Sequence, residues 1–364
     1  MQFSFAHIGR FAGSGVVGCR RIFAAILILT WTVSLPSPIS DDRGSLTDEE
    51  RATGRVSCES EPALKVFRGE VVERPDEPLC FEAYISNFDT RPLRDGEGPH
   101  FRGIPRWVVQ HVDRIEPTHT FGESRERPGR WFTIPELLAR GIAPTDDSYR
   151  FSLEWREAHP NWYERGHLAQ KYLAERLSVD RSRPERSPAW FTHNVANAVP
   201  QRARFNKGPW LTLECYTGAW ANRYEELWII SGPLFLGEHE HSWLRTDIER
   251  KKGQQPMAVA IPDALFKIVV REENDDNALF PGHTRWYVLA FIYLQDDETY
   301  DRRPWNPATH LDSVAHIEEL THETFLGGLP FEQRGIKTER PDKLWPVRRT
   351  DFDPSCRRLA PREQ

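Results

Sequence analysis

Hydrophobic stretches in the second half of the chain predict the strands of a sheet. Segments 225–235, 254–272 and 284–295 are rich in β-branched and aromatic residues and are bounded by Gly, Pro and Asp, a composition typical of strands. Their nearly continuous apolar character favours central strands that are covered on both faces. Segments 80–88 and 105–115 carry a strand-like alternation. We therefore expect a mixed or antiparallel sheet.

Helical periodicity is clearest in two other segments, 204–226 and 311–329. In the second segment, Ser313 is a residue type favoured at the N-cap, and Gly327 is a residue type that ends helices. We expect this helix to begin after Ser313 and to stop at Gly327. Because the strands and helices form no internal repeat, the economical prediction is a single α+β domain.

The first 40 residues resemble a targeting segment. An apolar run at 22–35 follows three arginines, and no Asp or Glu occurs before Asp41. As a helix this run would span about 21 Å, which is shorter than the roughly 30 Å hydrocarbon core of a bilayer, so a signal peptide is favoured over a permanent anchor. A secreted or periplasmic protein is the leading interpretation. A twin-arginine signal at 19–23, a mitochondrial presequence and an uncleaved membrane anchor remain open.

The rest of the chain divides into three parts. Residues 41–75 are charged and irregular and are predicted to be an extension with little core of its own. The folded domain is expected over 76–345, and the basic residues 346–364 are expected to form a loosely ordered tail. The cysteines that follow residue 40 are Cys58, Cys80, Cys215 and Cys356. Their even number fits one or two disulfides in an oxidising compartment, but their long spacings reveal no pairing, and four idle thiols remain an alternative.

The composition allows a sizeable core, because 39% of the 364 residues are hydrophobic and 12% are aromatic. The formal net charge is −6, so the chain lacks the global basic field that drives nucleic-acid binding. A local exception is the segment 181–207, which contains six cations and one acid, Glu185. These cations are Arg181, Arg183, Arg186, Arg202, Arg204 and Lys207, and the last three are the candidate substrate-binding residues. A solvated loop would have the same composition.

Candidate chemistry appears where residues 164–167 place Glu, Arg, Gly and His on adjacent positions. Asn206 and Glu214 follow at a spacing of eight (214 − 206 = 8), so both project from one side of a single helix. Amide and carboxylate oxygens are hard ligands that suit Mg²⁺. A helix N-cap is the alternative role of Asn206, and a surface carboxylate is the alternative role of Glu214.

Together these groups are the ones that the hydrolysis of a phosphodiester requires. The reaction needs a base for water, a divalent cation for the developing charge and a guanidinium for the phosphate. His167, Mg²⁺ bound at Asn206, and Arg165 match these three requirements. Mn²⁺ is a possible substitute because it is also a hard ion.

Three ordered motifs carry a resemblance to a known family. They are Glu164-Arg165-Gly166-His167, then Asn197-Ala198-Val199-Pro200-Gln201, then Asn206 with Trp210, Leu213 and Glu214. This order is similar to that of the DNA/RNA non-specific endonucleases of the ββα-metal, or His-Me finger, class, which include endonuclease G. The resemblance continues to about residue 335 and covers roughly 80–335, and several ordered motifs are far more specific than one.

The resemblance implies an α+β, ββα-metal fold and a sugar-non-specific endonuclease whose products carry 5′-phosphates. It implies that His167 is the general base, that Asn206 is the direct Mg²⁺ ligand and that Glu214 acts through metal-bound water. Arg165 would then contact a phosphate. DNA and RNA are the implied substrates, a homodimer is possible, and a membrane would be contacted only through an uncleaved N-terminal segment.

This chain departs from the family pattern at two positions. Glu164 stands where the family has Asp, and Gly218 stands where some members place a phosphate-binding arginine, four residues after Glu214. The family's upstream transition-state arginine is expected at Arg130, with Arg127 as the alternative.

Two other interpretations remain beside the nuclease. The departures motivate a catalytically weakened family member that binds nucleic acid or a partner protein. A structural extracellular domain, in which His167 only packs, is the third interpretation. Residues 238–241 read Glu-His-Glu-His and could bind a metal, but a polar surface loop is favoured because no further ligand is near in the sequence.

Overall fold

The computed structural model describes most of the chain from residue 47 onward. The described ranges are 47–67, 71–93, 99–114, 127–177, 187–237, 242–248, 255–274, 284–296, 298–301 and 303–361. The apolar run at 22–35, the cations at 181–186 and the His-Glu segment at 238–241 lie outside the described residues. Within the described ranges, no helix combines the length and the apolar character needed to cross a bilayer.

The centre of the fold is a seven-stranded antiparallel sheet. The strands of the described chain are β1 (Leu79–Cys80), β2 (Ile85–Phe88), β3 (Pro105–Asp113), β4 (Tyr163–His167), β5 (Ala198–Arg202), β6 (Glu226–Leu234), β7 (Ser242–Leu244), β8 (Val259–Ile261), β9 (Ala264–Asn274), β10 (Thr284–Leu294) and β11 (Leu311–Asp312). The large sheet has the order β1-β2-β3-β6-β9-β10-β11, and every neighbouring pair in it is antiparallel. Strand β4 pairs with β5, and β7 pairs with β8, in two separate ribbons.

Helices connect and cover these strands. The α-helices are α1 (Asp48–Ala52), α2 (Glu61–Phe67), α3 (Pro135–Ala139), α4 (Leu153–Ala158), α5 (Lys171–Ala174), α6 (Pro188–Phe191), α7 (Ala203–Phe205), α8 (Leu211–Tyr224) and α9 (Val314–Thr321). A π-helical turn at Asn206–Trp210 joins α7 to α8. Short 3-10 helices cover Asp146–Tyr149, Glu175–Leu177, Val195–Asn197, Glu298–Asp301, Pro307–His310, Phe331–Lys337, Arg349–Asp351 and Arg357–Leu359.

The sheet is covered on both faces, because successive residues of a strand point to opposite sides. On one face, Val108 and Ile229 belong to a core that includes the buried residues of α8. On the other face, Val109 and Ile230 belong to a core that includes residues of α2 and α9. The predicted α+β fold with a central antiparallel sheet and flanking helices is therefore confirmed.

Helix α9 is shorter than its sequence pattern predicts. Ser313 is the N-cap, as expected, and its hydroxyl accepts a hydrogen bond from the His316 backbone N–H at 3.2 Å. The helix ends at Thr321, because His322 adopts the left-handed conformation with φ of 56°. The expected stop at Gly327 was wrong, since a non-glycine residue provides the left-handed C-cap five positions earlier.

Both end segments of the described chain pack on the domain, whereas the sequence predicted little core and loose order there. Cys58 forms a disulfide with Cys80 in β1, and Val66 of α2 is buried. At the other end, Cys356 forms a disulfide with Cys215 in α8, and Phe352 is buried. Covalent pairing of distant cysteines gives both segments the order that their composition did not predict. The domain boundaries assigned from sequence remain a prediction.

Strands β4 and β5, followed by the kinked helix from α7 to α8, form a ββα unit beside the large sheet. The two strands are antiparallel, with Tyr163 opposite Arg202 and His167 opposite Ala198. The helix continues directly from β5, because α7 begins at Ala203. This unit brings all three sequence motifs into one region.

Candidate active site

A cleft of about 710 Å³ lies along the ββα unit. His167 of β4, Asn206 of the π-turn and Glu214 of α8 all line it. The structure therefore brings together the predicted base and both predicted metal ligands. Residues near the C-terminus also line the cleft, among them Cys356 and Arg358.

The glycine before His167 is required by packing across the β4–β5 ribbon. The side chain of Gln201 lies over Gly166, and a Cβ atom on Gly166 would be 1.9 Å from Gln201 Cδ. Gln201 Nε2 donates a hydrogen bond to the His167 carbonyl oxygen at 3.3 Å. Glycine thus leaves the space that Gln201 needs to hold the backbone of His167, which explains why the two motifs occur together.

Asn197 closes the end of the same ribbon. Its Oδ1 accepts a hydrogen bond from the Ala169 backbone N–H at 2.7 Å, and its Nδ2 donates to the carbonyl oxygens of Ala169 at 2.8 Å and Thr192 at 3.0 Å. The side chain is fully buried. A buried amide with three hydrogen bonds is a rigid link, so the first residue of the second motif fixes the chain just after His167.

The His167 ring lies between two other rings and is kept neutral. Its centroid is 4.5 Å from that of Trp131 and 4.9 Å from that of His193. Burial is the main reason that the pKa of His167 falls well below 6.5, and electrostatic interactions with His193 and with cations such as Arg127 lower that pKa further. Its Nε2 is buried without a hydrogen-bond partner among the described residues. A neutral imidazole with an unpartnered nitrogen can accept a proton at neutral pH.

His193 is a neighbour that sequence reasoning missed. Its Nδ1 is 3.1 Å from the Trp190 carbonyl oxygen, and its Nε2 has no hydrogen-bond partner in the described chain. Burial lowers its pKa to about 4, although the hydrogen bond to Trp190 opposes that shift. A lone histidine between α6 and the Asn197 motif carries no spacing signal, so no pattern marks it as part of the site.

Arg165 is engaged by a buried acid. Its guanidinium forms an ion pair with Asp146, whose Oδ1 also accepts a hydrogen bond from the Trp131 backbone N–H at 3.1 Å. The guanidinium carbon lies 5.4 Å from the centre of the Trp131 ring. Arg165 lines the cleft, but its charge is largely neutralised, so these contacts favour a role in holding Trp131 against His167.

The Glu164 carboxylate binds the first two residues of the π-turn. Its Oε2 accepts a hydrogen bond from Asn206 Nδ2 at 3.0 Å, and its Oε1 forms an ion pair with Lys207. The hydrogen bond fixes the amide group, so that Asn206 Oδ1 is left as an acceptor. Glu164 therefore occupies the orienting position at which the family pattern has Asp, and its extra methylene still reaches Asn206.

The helix that carries Asn206 and Glu214 is kinked between them. Gly208 has non-helical dihedral angles, φ −113° and ψ −107°, inside the π-turn, and a Cβ atom there would lie 2.9 Å from the Trp305 ring. Asn206 itself has helical dihedral angles, φ −56° and ψ −45°, whereas an N-cap residue has non-helical ones, so it is not an N-cap. The two side chains line one cleft, but the single straight helix expected from the spacing of eight is wrong.

Asn206 and Glu214 have the donor chemistry of a site for a hard cation. An amide oxygen and a carboxylate beside the unpartnered nitrogen of His167 suit Mg²⁺, which keeps several of its waters and takes few protein ligands. The residues of the cleft therefore fit the ion that the sequence predicted.

A buried lysine of the central sheet lies under this part of α8. Lys267 of β9 is fully buried, and its Nζ donates a hydrogen bond to Ser231 Oγ at 2.7 Å. The same Nζ lies 4.4 Å from the centre of the Trp210 ring. Burial raises the pKa of Glu214 and lowers that of Lys267, while the attraction between the two opposite charges opposes both shifts. An isolated lysine in a strand pattern gave no sequence signal for this contact.

Two arginines are candidates for the transition state. Arg127 lines the cleft, whereas Arg130, the favoured choice, does not. Arg130 lies 3.7 Å from Asp147 Oδ1 and is mostly exposed. Arg127 lines the cleft, and its charge lowers the pKa of His167. The structure therefore places Arg127, the alternative, at the cleft and places Arg130 beside the 3-10 helix that carries Asp147, and the role of either arginine in the reaction stays a prediction.

Two of the three predicted substrate-binding cations do not line the cleft. Arg202 Nε lies 2.8 Å from Asp296, and the Arg202 guanidinium stacks on Tyr163. Arg204 NH1 lies 2.7 Å from Asp301. These two are corrected, because ion pairs hold them on other surfaces. Lys207 does line the cleft, and its ammonium is paired with Glu164.

Two other polar clusters lie outside the cleft. His111 Nε2 is 2.6 Å from Glu226 Oε1 and 3.7 Å from Asp113 Oδ1, an arrangement that could also hold a metal ion. A second cavity of about 720 Å³ is bounded by residues that include Asp89 and Arg102, whose charges pair at 2.9 Å. Hydrogen bonds and ion pairs account for both clusters, so we assign the candidate site to the cleft that contains His167.

Comparison with known families places this geometry in context. A family model described as DNA/RNA non-specific endonuclease matches residues 75–332, which is well over half of the chain. The matched range contains β4, β5, α8 and most of the cleft.

The named relatives match about half of this chain at low sequence identity. The mitochondrial nuclease EXOG of Xenopus laevis is 28% identical over 184 residues, which is 49% of this chain and 44% of that protein. The mitochondrial nuclease of Saccharomyces cerevisiae is 23% identical and covers 52% and 50%, and human mitochondrial endonuclease G is 26% identical and covers 52% and 53%. The chain thus spans about half the length of the curated relatives it matches. A solved EndoG/EndoGI complex is similar at 16% identity with a TM-score of 0.49, covering 76% of this chain and 96% of that one.

Proposed function

Because the chain belongs to the DNA/RNA non-specific endonuclease family, we propose that it hydrolyses the phosphodiester bonds of DNA and RNA and leaves 5′-phosphate ends. One observation carries the proposal: His167, with an unpartnered ring nitrogen, shares a single cleft with Asn206 and Glu214. A base and hard oxygen ligands in one cleft are the groups that phosphodiester hydrolysis requires.

His167 is the general base of the proposed reaction. Its pKa lies well below 6.5, so the imidazole is neutral at pH 7 and can take a proton from the attacking water. Trp131 and His193 limit the rotation of the ring, and Gln201 holds its backbone. Precise placement of a base contributes to rate because the reacting atoms must meet within about 3–3.5 Å.

Asn206 and Glu214 are the proposed site of a divalent cation, with Mg²⁺ as the expected ion and Mn²⁺ as a substitute. When bound, the ion supplies Lewis-acid stabilisation of the negative charge that develops on the phosphate oxygens. Asn206 would hold it through Oδ1, and Glu164 orients that amide through the hydrogen bond from Nδ2. Glu214 contributes negative charge from α8.

Arg127 and Lys207 are the proposed phosphate-binding cations near His167 and Asn206. Arg127 is near enough to His167 to affect its pKa, so its guanidinium is suited to the phosphate on which the base acts. Lys207 is shared with Glu164 and adds positive charge next to Asn206. Arg165 positions Trp131 through its ion pair with Asp146.

Digestion of supercoiled plasmid and of RNA by residues 41–364 tests the proposal. We expect cleavage with Mg²⁺ or Mn²⁺, no cleavage with EDTA, and products that a ligase can rejoin because they carry 5′-phosphates. His167→Ala is the matched inactive variant. A well-folded wild-type protein that cleaves neither substrate with either ion would contradict the proposal.

The weakened family member is the second candidate, and Gly218 is the observation that favours it. At this position α8 offers no side chain for a phosphate. This candidate predicts that the protein binds an oligonucleotide with EDTA present but does not cut it when Mg²⁺ is added. The same binding and cleavage assays therefore separate the two functions.

A location outside the reducing cytosol is proposed for the folded domain. The two disulfides fit an oxidising compartment. The mitochondrial names of the relatives favour the mitochondrial alternative for residues 1–40 over secretion. Localisation of a C-terminally tagged full-length chain by microscopy tests this, and signal confined to the medium or periplasm would contradict the mitochondrial alternative.

A further inference from the structure

One wall of the cleft is built by a segment that the family model does not cover. The matched range ends at residue 332, yet Ser355, Cys356, Arg358 and Leu359 line the cleft together with residues of the ββα unit. We call residues 352–359 the C-terminal wall. The C-terminal wall therefore lies outside the range that the family model matches.

The C-terminal wall is anchored to the helix that carries Glu214. Cys356 forms a disulfide with Cys215, the residue next to Glu214. Asp353 forms an ion pair with Arg176 at 3.2 Å, and both side chains are almost fully buried, at 4% and 3% exposure. Phe352 is buried, and Asn222 of α8 donates a hydrogen bond to Asp353 Oδ1 at 3.1 Å. A covalent bond and a buried ion pair hold the wall in one position.

Tyr172 of α5 and Asp353 of the C-terminal wall together explain why α8 carries glycine at position 218. A Cβ atom on Gly218 would lie 2.5 Å from the hydroxyl oxygen of Tyr172 and 3.2 Å from Asp353 Oδ2. The Tyr172 hydroxyl is fixed by a hydrogen bond to the Glu214 carbonyl oxygen. A side chain at position 218 would displace these groups. A cation that binds phosphate near this part of α8 must therefore come from another element.

Arg358 is the cation of the C-terminal wall that lines the cleft, and the neighbouring Arg357 is not among the lining residues. The Arg358 side chain is exposed. Three other cleft cations are each paired with an acid: Arg165 with Asp146, Lys207 with Glu164, and Lys171 with Glu175. Among the described residues, none forms an ion pair with Arg358, so its full charge is available to a ligand.

We propose that Arg358 binds a backbone phosphate of the nucleic-acid strand at the C-terminal wall, in place of a cation on α8. The inference rests on the proposed function, since it names a substrate contact of the same cleft. The 3-10 helix Arg357–Leu359 and the Cys215–Cys356 disulfide present the guanidinium to the cleft. A guanidinium can bind phosphate through two parallel hydrogen bonds. Arg358 contributes to binding and not to the chemical step, because the proposed base is His167 and the proposed metal ligands are Asn206 and Glu214.

Binding of a fluorescent single-stranded DNA 20-mer in EDTA tests the proposal without catalysis. We compare the wild type, Arg358→Gln and Arg349→Gln over a series of salt concentrations by fluorescence anisotropy. Arg349 is an exposed arginine of the same C-terminal region that does not line the cleft, so its variant has the same change in net charge. We expect Arg358→Gln to weaken binding about five- to tenfold and to reduce the salt slope by about 0.7, the effect of one lost contact to a single strand. Arg349→Gln should stay within about twofold of the wild type.

Steady-state cleavage separates this inference from the proposed function. With Mg²⁺, Arg358→Gln should raise KM by a factor similar to its loss of affinity and leave kcat within about twofold. Wild-type affinity and salt slope in Arg358→Gln would overturn the inference and leave the nuclease proposal intact. A wild type that binds but does not cut, with binding weakened by Arg358→Gln, would support the inference and overturn the nuclease. A wild type that does not bind would overturn both.

Discussion

The two walls of the cleft hold their functional side chains by different means. In the ββα wall, hydrogen bonds between residues 28 to 34 positions apart fix His167: Asn197 binds Ala169, and Gln201 binds His167 itself. In the C-terminal wall, the Cys215–Cys356 disulfide joins residues 141 positions apart. The contacts of the first wall are thus short in sequence, and a motif can encode them. The position of the second wall depends on completion of the whole fold.

This difference assigns different tasks to the two walls. The ββα wall contains the proposed base and metal ligands, so changes there should affect kcat. The C-terminal wall contains Arg358 and no proposed catalytic residue, so changes there should affect KM and stability. Four predictions test this division, beginning with the largest effect.

Replacement of His167 by Ala should lower the rate of plasmid cleavage by about 10² to 10⁴. The ring contacts Trp131 and His193 but its Nε2 makes no hydrogen bond to a described residue, so we expect only a small change in Tm. Exposed His316 on α9 provides the matched control, and His316→Ala should keep full activity. A large loss of Tm with proportionate loss of activity would show that His167 is structural.

Replacement of Cys356 by Ala should lower the free energy of unfolding by about 2–4 kcal/mol, because the disulfide closes a long loop. It should also raise KM, since the C-terminal wall loses its covalent anchor. Urea denaturation and steady-state kinetics check the two effects. Cys58→Ala breaks the other disulfide and should reduce stability without raising KM. A fall in kcat as large as that of His167→Ala would contradict the division between the walls.

Acidification from pH 7 to pH 5 should destabilise the ββα wall. The pKa of His193 is about 4 in the folded protein, below the ordinary 6.5, so the unfolded chain binds more protons between these values. Stability is therefore lost as the pH falls below about 6.5, by on the order of 1–2 kcal/mol from this histidine. Urea denaturation at pH 7, 6 and 5 measures the loss. His193→Gln should reduce this loss to the part that comes from the lowered pKa of His167, and equal slopes in both proteins would refute the assignment.

Replacement of Arg204 by Gln should have the smallest effect, less than about twofold in KM and in kcat. Arg204 is exposed and pairs with Asp301 away from the cleft, and exposed ion pairs contribute little to stability. Cleavage kinetics beside Arg358→Gln check this prediction. An Arg204→Gln variant that binds the oligonucleotide as weakly as Arg358→Gln would show that substrate also contacts the exposed surface of α7.

The sequence predicted the features that depend on local pattern. Continuous apolar segments located β6, β9 and β10, and the motif spacing located His167, Asn206 and Glu214. Short polar motifs are predictable in this way because hydrogen bonds such as that between Gln201 and His167 connect nearby strands of one unit.

Features that depend on distant contacts were not predictable. Arg202 and Arg204 lie in a basic stretch, yet acids from far along the chain, Asp296 and Asp301, neutralise them. Arg358 lies in a segment whose composition indicates a loose tail, and only the partner of Cys356 gives it a position. Charge counted along a sequence does not reveal which charges face one another after folding.

Lys267 has a consequence for how the protein matures. Its buried ammonium in the central sheet is stabilised by the nearby carboxylate of α8, and a buried ammonium without such a carboxylate costs several kcal/mol. A sheet that forms before α8 docks is therefore disfavoured, and the two assemble cooperatively. The cleft is therefore complete only after α8 has docked on the sheet, so the order of its residues depends on the finished fold.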